Sequence, residues 1–166
     1  MNDNTIYQFN VQQLNGEELS LSDYKDKVLL VVNTASQCGF TPQLKDLVAL
    51  KDEFKDEDFE ILAFPSNDFG GQEPLEGQEI ESFCADIGTN YPVFEKIRVR
   101  GPYAHALYQF FANKKLNGKL GSVPRWNFHK FLISKSGLVT DFFYPFTKPT
   151  SSKIRKKIAR LLSVKS

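Results

Sequence analysis

An uninterrupted run of aliphatic residues, Val28-Leu29-Leu30-Val31-Val32, constrains the fold of this chain more than any other segment. A strand with one face in water alternates apolar and polar residues, so a continuous run is typical of a strand buried on both faces of a sheet. A second buried strand is predicted at residues 60–64, from Ile61, Leu62 and Phe64. The residues between the two strands carry an apolar face at helical spacing, formed by Leu44, Leu47, Val48, Leu50 and Phe54. The order strand, helix, strand predicts a βαβ unit, and therefore an α/β protein.

Two β-hairpins and three further helices are predicted around this unit. The first hairpin begins with an alternating strand at residues 7–11 and turns at Asn15-Gly16, where both residues tolerate positive φ. The second hairpin covers residues 128–133 and 138–144. The further helices are predicted at residues 77–87, at residues 103–112 and from near Ser151. A βαβ half followed by a ββα half predicts a central mixed β-sheet flanked by helices, with an N-terminal β-hairpin.

The composition fits one domain and argues against several classes of function. The chain has 166 residues, 41% of them hydrophobic, so a single domain over residues 1–166 can bury a sufficient core. Its 21 Lys and Arg against 20 Asp and Glu give a net charge of +1, and nucleic-acid binding needs clustered positive charge. The longest apolar run is far shorter than the ~20 residues of a membrane helix. The first residues have neither the basic nor the apolar region of a secretory signal, so we expect a cytoplasmic protein.

The histidines and cysteines are too few and too scattered to predict a metal site. The two cysteines form neither a Cys-x-x-Cys motif nor a four-cysteine zinc site. His105 and His129 stand without an acidic cluster. We therefore expect no metal and no cofactor.

Cys38 lies between the first buried strand and the predicted start of the following helix at Thr41-Pro42, a usual pair of N-cap and first helical residue. A free cysteine is most often a small buried apolar residue. At a helix N-terminus, however, the dipole and the free N–H groups stabilise a thiolate, which is the nucleophilic form. A stable thiolate alone does not make a fast enzyme, because nucleophilicity falls as the thiolate becomes more stable. Hydrogen-bond donors that stabilise charge in the transition state are needed as well.

Gln72, Trp126 and Asn127 are candidate donors of this kind. Gln72 follows Gly70-Gly71, whose missing side chains let the backbone approach closely, and the Trp126-Asn127 pair precedes a predicted strand. An indole N–H and two amides stay neutral at any working pH. On the residues alone, Trp126 is more often a core residue and Asn127 a turn residue, and nothing in the spacing joins the three to Cys38.

Three segments resemble the glutathione peroxidase family, in order and at the family's usual spacing. They are Asn33-Thr34-Ala35-Ser36-Gln37-Cys38-Gly39-Phe40-Thr41, Phe64-Pro65-Ser66-Asn67-Asp68-Phe69-Gly70-Gly71-Gln72-Glu73-Pro74 and Arg125-Trp126-Asn127-Phe128-His129-Lys130-Phe131-Leu132. Many animal members of the family carry selenocysteine where this chain has Cys38. The resemblance spans nearly the whole chain and implies a thioredoxin-like fold with a peroxidatic tetrad of Cys38, Gln72, Trp126 and Asn127. The implied reaction is the reduction of hydrogen peroxide and organic hydroperoxides by a thiol.

The chain departs from the family pattern at two positions and in one segment. Asp68 stands where the family usually has Gln, and a negative charge near the thiol would oppose its ionisation. Leu75 stands where the family usually has Gly. The insertion that oligomeric members carry before the Trp-Asn pair is absent from the short segment 114–124. The resemblance therefore implies a monomer or dimer rather than a tetramer.

Cys84 has two interpretations. Its place beside Ile80, Phe83 and Ile87 on the apolar face of the predicted 77–87 helix favours core packing. Phe83-Cys84 followed by Tyr91-Pro92-Val93-Phe94 resembles the thioredoxin-dependent, non-selenium members, whose resolving cysteine lies in this helix. The resemblance thus implies a Cys38–Cys84 disulfide that thioredoxin reduces. Because glycines flank the helix, we expect it to be weakly anchored at both ends and to open locally for this reaction.

Three other functions remain open from the sequence. One is a one-cysteine peroxidase reduced by glutathione, against which the presence of Cys84 argues. Another is a peroxide sensor that relays oxidation to a partner protein, which would share the chemistry at Cys38 but turn over slowly and trap mixed disulfides. The last is a catalytically silent adaptor with the same fold, which the complete tetrad disfavours.

Overall fold

A four-stranded mixed sheet forms the centre of the protein, whose computed structural model describes residues 3–165. Met1, Asn2 and Ser166 lie outside the described residues, and with them the first two positions of the segment considered above for a secretory signal. The strands β3 (Val28–Thr34), β4 (Phe59–Pro65), β5 (Lys130–Ile133) and β6 (Val139–Phe143) are ordered β4-β3-β5-β6. β3 is parallel to β4 and antiparallel to β5, which confirms the predicted mixed sheet.

β3 is the strand predicted from the aliphatic run, and all seven of its residues are buried. Since successive side chains of a strand point to opposite faces, β3 contributes to two separate apolar layers. Leu29 and Val31 belong to one core cluster, whereas Val28, Leu30 and Val32 belong to the other. An unbroken apolar sequence is needed because both faces of the sheet are covered.

Helices supply the cover on the two faces. α1 (Gln43–Glu53) and α5 (Ser152–Leu162) pack on the Leu30 side, where α2 (Gly77–Ile87) adds partly buried residues. α3 (Ala106–Ala112) packs on the Leu29 side and is followed by the short α4 (Lys114–Asn117). Within residues 3–165, no helix is both long and apolar enough to cross a bilayer.

The predicted N-terminal hairpin is present as a separate two-stranded sheet of β1 (Asn10–Gln12) and β2 (Glu18–Ser20). Its first strand is shorter than predicted, because residues 6–8 form a 3₁₀ turn, where the Tyr7 N–H donates to the Thr5 hydroxyl. The helix predicted at residues 103–112 begins only at Ala106. There the His105 imidazole accepts a hydrogen bond from the Leu107 N–H at 3.1 Å and acts as the N-cap.

Candidate active site

Cys38 lies in a tight turn ahead of α1 rather than at the first residues of the helix. The helix begins at Gln43, and its cap residue is Pro42, whose apolar ring accepts no hydrogen bond from the free N–H groups. The prediction that Thr41 is the N-cap of this helix is therefore wrong. Its hydroxyl accepts from the Cys38 N–H at 2.8 Å and donates to the Ala35 carbonyl at 3.0 Å, so it holds the cysteine turn instead.

The Cys38 sulfur is a half-buried free thiol that faces an amide of its own turn. The Phe40 N–H donates to Cys38 Sγ at 3.4 Å. A backbone donor so placed interacts with negative charge on the sulfur and needs no reorganisation when that charge forms.

The side chains of Gln72 and Asn127 meet directly. Asn127 Nδ2 donates to Gln72 Oε1 at 3.0 Å. Asn127 is fully buried, and Gln72 is partly exposed. Because its oxygen is engaged by Asn127, Gln72 presents its Nε2 hydrogens as donors. Asn127 thus orients Gln72.

Hydrogen bonds tie the three motif segments to one another. The Gln37 N–H, next to the cysteine, donates to the Gln72 carbonyl at 2.9 Å. At the end of β3, Asn33 Nδ2 donates to the Trp126 carbonyl at 3.0 Å, and the Asn33 carbonyl accepts from the Phe128 N–H at 2.6 Å. Phe128 has a left-handed φ of 68°, which is uncommon for a bulky residue. The tertiary hydrogen bonds hold this turn in place against its backbone preference.

Trp126 closes one side of the site. Its indole packs against the Phe69 ring, with centroids 5.4 Å apart. Gly70 passes close to the same ring: a Cβ added there would lie 3.5 Å from Trp126 Cη2, and its φ of +65° favours glycine. The structure therefore brings Gln72, Trp126 and Asn127 together, with the Cys38 turn bonded to the Gln72 segment.

Glu73 is a buried carboxyl that the sequence reasoning did not single out. Its Oε1 accepts from the Ser36 hydroxyl at 2.7 Å, and its N–H donates to Asn67 Oδ1 at 2.9 Å. Burial raises the pKa of the Glu73 carboxyl above its usual value. Glu73 thus joins the Gln72 loop to the cysteine loop, and its place directly after Gln72 was the one sequence signal for it.

The Asp68 carboxylate is turned toward another loop. It accepts from the backbone N–H groups of Val99 at 2.7 Å and Arg100 at 3.2 Å. The charge that was expected to oppose ionisation of the thiol is therefore engaged by backbone amides.

Cys84 is a buried free thiol in α2, on the apolar face predicted for it. Burial, with a smaller contribution from the Glu73 carboxylate, raises the pKa of this thiol to about 11. The expected weak anchoring is wrong for the helix ends, because a capping box at Glu76 and a left-handed Gly88 close them. Ile80 and Cys84 are the buried residues of α2, and Phe83 and Ile87 pack partly buried against the core on the Leu30 side of the sheet.

Comparison with known proteins defines the fold class. A thioredoxin-family thiol:disulfide interchange protein from Chlorobium tepidum superposes with a TM-score of 0.64 over 93% of each chain, at 19% identity. The fold is therefore thioredoxin-like, as the motifs implied.

Closer similarity defines the family. The family model for glutathione peroxidase matches residues 6–112. The glutathione peroxidase homolog BsaA of Halalkalibacterium halodurans is 46% identical over 159 residues, which cover 95% of this chain and 99% of the relative. The crystal structure of Trgpx in apo form has a TM-score of 0.76 at 38% identity, over 98% of each chain. The chain belongs to the glutathione peroxidase family and is a peroxidase that reduces hydroperoxides with a thiol reductant.

Proposed function

We propose that the chain reduces hydrogen peroxide and organic hydroperoxides with Cys38 as the peroxidatic residue. The observation that best supports this proposal is the 3.0 Å hydrogen bond between Asn127 and Gln72, which orients the Gln72 amide. The loop that contains Gln72 is itself hydrogen-bonded to the cysteine turn. The Cys38 thiolate attacks a peroxide oxygen, so that an S–O bond forms and the O–O bond breaks. The leaving oxygen takes a proton and departs as water or an alcohol, and Cys38 becomes a sulfenic acid. Gln72 and the Trp126 indole stabilise the charge that develops on the leaving oxygen.

The proposal continues with Cys84 as the resolving residue. The Cys84 sulfur attacks the Cys38 sulfenic acid, the disulfide forms, and the hydroxyl leaves as water with the thiol proton. Thioredoxin or a similar dithiol protein then reduces the disulfide and returns both thiols. Because Cys84 is buried in α2, its sulfur becomes accessible to Cys38 when the helix opens locally for this step. We propose residues 1–166 as one catalytic domain, a monomer or dimer, in the cytoplasm, where dithiol reductants keep such thiols reduced.

Steady-state peroxide reduction with thioredoxin and glutathione side by side tests the proposal. We expect turnover with thioredoxin, and none with either reductant in Cys38→Ser. Cys84→Ser should still form a sulfenic acid that a dimedone-type reagent traps, but should lose thioredoxin-driven turnover. Full thioredoxin turnover in Cys84→Ser would return Cys84 to a packing role, and preferred turnover with glutathione would favour the one-cysteine mechanism.

A further inference from the structure

Lys130 is a fully buried lysine whose ammonium is held by acceptors from two other segments. Its Nζ donates to Gln43 Oε1 at 2.7 Å, to the Pro145 carbonyl at 3.0 Å and to the Thr147 carbonyl at 2.6 Å. Gln43, also buried, donates from Nε2 to the same Pro145 carbonyl at 2.7 Å. Three acceptors engage all three hydrogens of the ammonium. Burial lowers the pKa of this group to about 7, against the opposing effect of the Asp46 carboxylate.

The segment held by Lys130 is the 144–147 turn, which the Thr147 N–H closes by donating to the Tyr144 carbonyl at 3.0 Å. This turn forms one wall of a groove of about 430 Å³, lined by Phe40, Arg125, Trp126, Tyr144, Pro145 and Phe146. Phe146 is 70% exposed and stacks on Tyr144, with centroids 5.8 Å apart. A large aromatic side chain that is exposed beside a concave apolar surface is poorly explained by core packing.

The groove is continuous with the proposed reaction site. Trp126 belongs to both, and Phe40 lines the groove while its N–H donates to the Cys38 sulfur. A molecule with its reacting end at Cys38 can therefore lay its remainder against Phe40 and Trp126. Apart from the Arg125 guanidinium the lining is aromatic or proline, which fits an alkyl or aryl group better than a polar peptide.

We propose that this groove receives the alkyl or aryl part of an organic hydroperoxide, and that Lys130 is a positioning residue for it through the 144–147 turn. The inference rests on the proposed function and adds a determinant of substrate choice to it. A buried ammonium is tolerated only where its acceptors converge, so the network gives the turn one defined place. Hydrogen peroxide has no organic part and does not use the groove.

Substrate selectivity tests the role of Lys130. The ratio of kcat/KM for cumene hydroperoxide to that for hydrogen peroxide should fall about tenfold in Lys130→Met, mainly through a higher KM for cumene hydroperoxide. Lys135→Met is the matched control, because Lys135 Nζ also donates to a carbonyl, that of Leu162 at 3.0 Å, but does not hold the 144–147 turn. Phe146→Ala removes an exposed ring without threatening the fold and should lower the same ratio. An unchanged ratio in Phe146→Ala and in folded Lys130→Met would overturn the proposal.

A binding measurement tests the groove independently of the proposed peroxide reduction at Cys38. Trp126 is the single tryptophan of the chain, so intrinsic fluorescence reports on this wall of the groove. The probe is 2-phenyl-2-propanol, the alcohol that cumene hydroperoxide yields, which has no O–O bond. We expect a saturable fluorescence change in the wild type and in Lys135→Met, and about tenfold weaker binding in Lys130→Met. No saturable change in a wild type that reduces peroxides would refute the groove alone. Saturable binding without peroxide reduction would contradict the proposed function alone.

Discussion

Gly88 closes the C-terminal end of α2, and Gly88→Ala tests whether this helix opens before Cys84 reacts. Gly88 has a φ of +81°, and among the described residues nothing beyond its chain neighbours lies within 4 Å of an added Cβ. The substitution therefore strains the backbone without a steric clash. A left-handed conformation costs an L-residue roughly 1–2 kcal/mol. Because the opened helix does not need that conformation, the opened population should rise about 5–30-fold.

Opening of α2 matters because burial in the folded helix lowers the fraction of Cys84 that is a thiolate, the nucleophilic form. With a pKa of about 11, the buried Cys84 thiol is a thiolate in roughly one molecule in ten thousand at pH 7. An ordinary exposed cysteine, with a pKa of about 8.5, is a thiolate in roughly 3% of molecules. Opening thus raises the reactive fraction about 300-fold, besides letting the sulfur approach Cys38.

A single-turnover experiment measures the effect. Reduced protein is mixed with one equivalent of hydrogen peroxide, and the sulfenic acid that remains is trapped at intervals with a dimedone-type reagent. We expect the disulfide to form about 5–30-fold faster in Gly88→Ala, with faster hydrogen exchange across residues 77–88. The matched control is Gly16→Ala in the β1–β2 hairpin, where φ is +87° and a Cβ also meets nothing within 4 Å. If Gly88→Ala formed the disulfide at the wild-type rate despite faster hydrogen exchange in α2, opening of the helix would not limit the reaction.

Two further predictions concern the donor pair and a buried histidine. Gln72→Ala removes the amide that Asn127 orients, and it should slow the oxidation of Cys38, measured by stopped flow, by about 10²-fold. Gln12→Ala, at an exposed residue of β1, should keep the wild-type rate. Equal rates in the two variants would remove Gln72 from the mechanism. Burial lowers the pKa of His129 to about 4, so between there and the unfolded value near 6.5 the unfolded chain binds the extra proton. The free energy of unfolding from urea titrations should therefore fall by up to about 3 kcal/mol as the pH drops through that window, and the fall should be smaller in His129→Gln; parallel curves would contradict this.

Elements set by local patterns were predictable from the sequence. The aliphatic run of β3 and the apolar face of α2 depend on spacing along one segment, and both lie where the spacing predicted. α5 also begins near Ser151 as expected, and the Ser151 hydroxyl accepts from the Ile154 N–H at 3.4 Å as its N-cap. The role of Thr41 was not predictable in this way. Its propensity as an N-cap is real, but hydrogen bonds to Cys38 and Ala35 use the same hydroxyl for another purpose.

The motifs identified the candidate residues, but their assembly needed the tertiary structure. Gln72 and Asn127 are 55 residues apart, and their hydrogen bond exists because β3, β4 and β5 bring the segments that follow or precede them to one end of the sheet. Lys130 would be expected to keep its charge in water, and it is buried because Gln43 and the 144–147 turn converge on its ammonium. Most of the strands and helices, and the candidate reactive side chains, therefore follow from spacing and residue chemistry along single segments. Which donors meet which acceptors depends instead on the packing of separate segments, because a hydrogen bond requires distances between segments that no local pattern specifies.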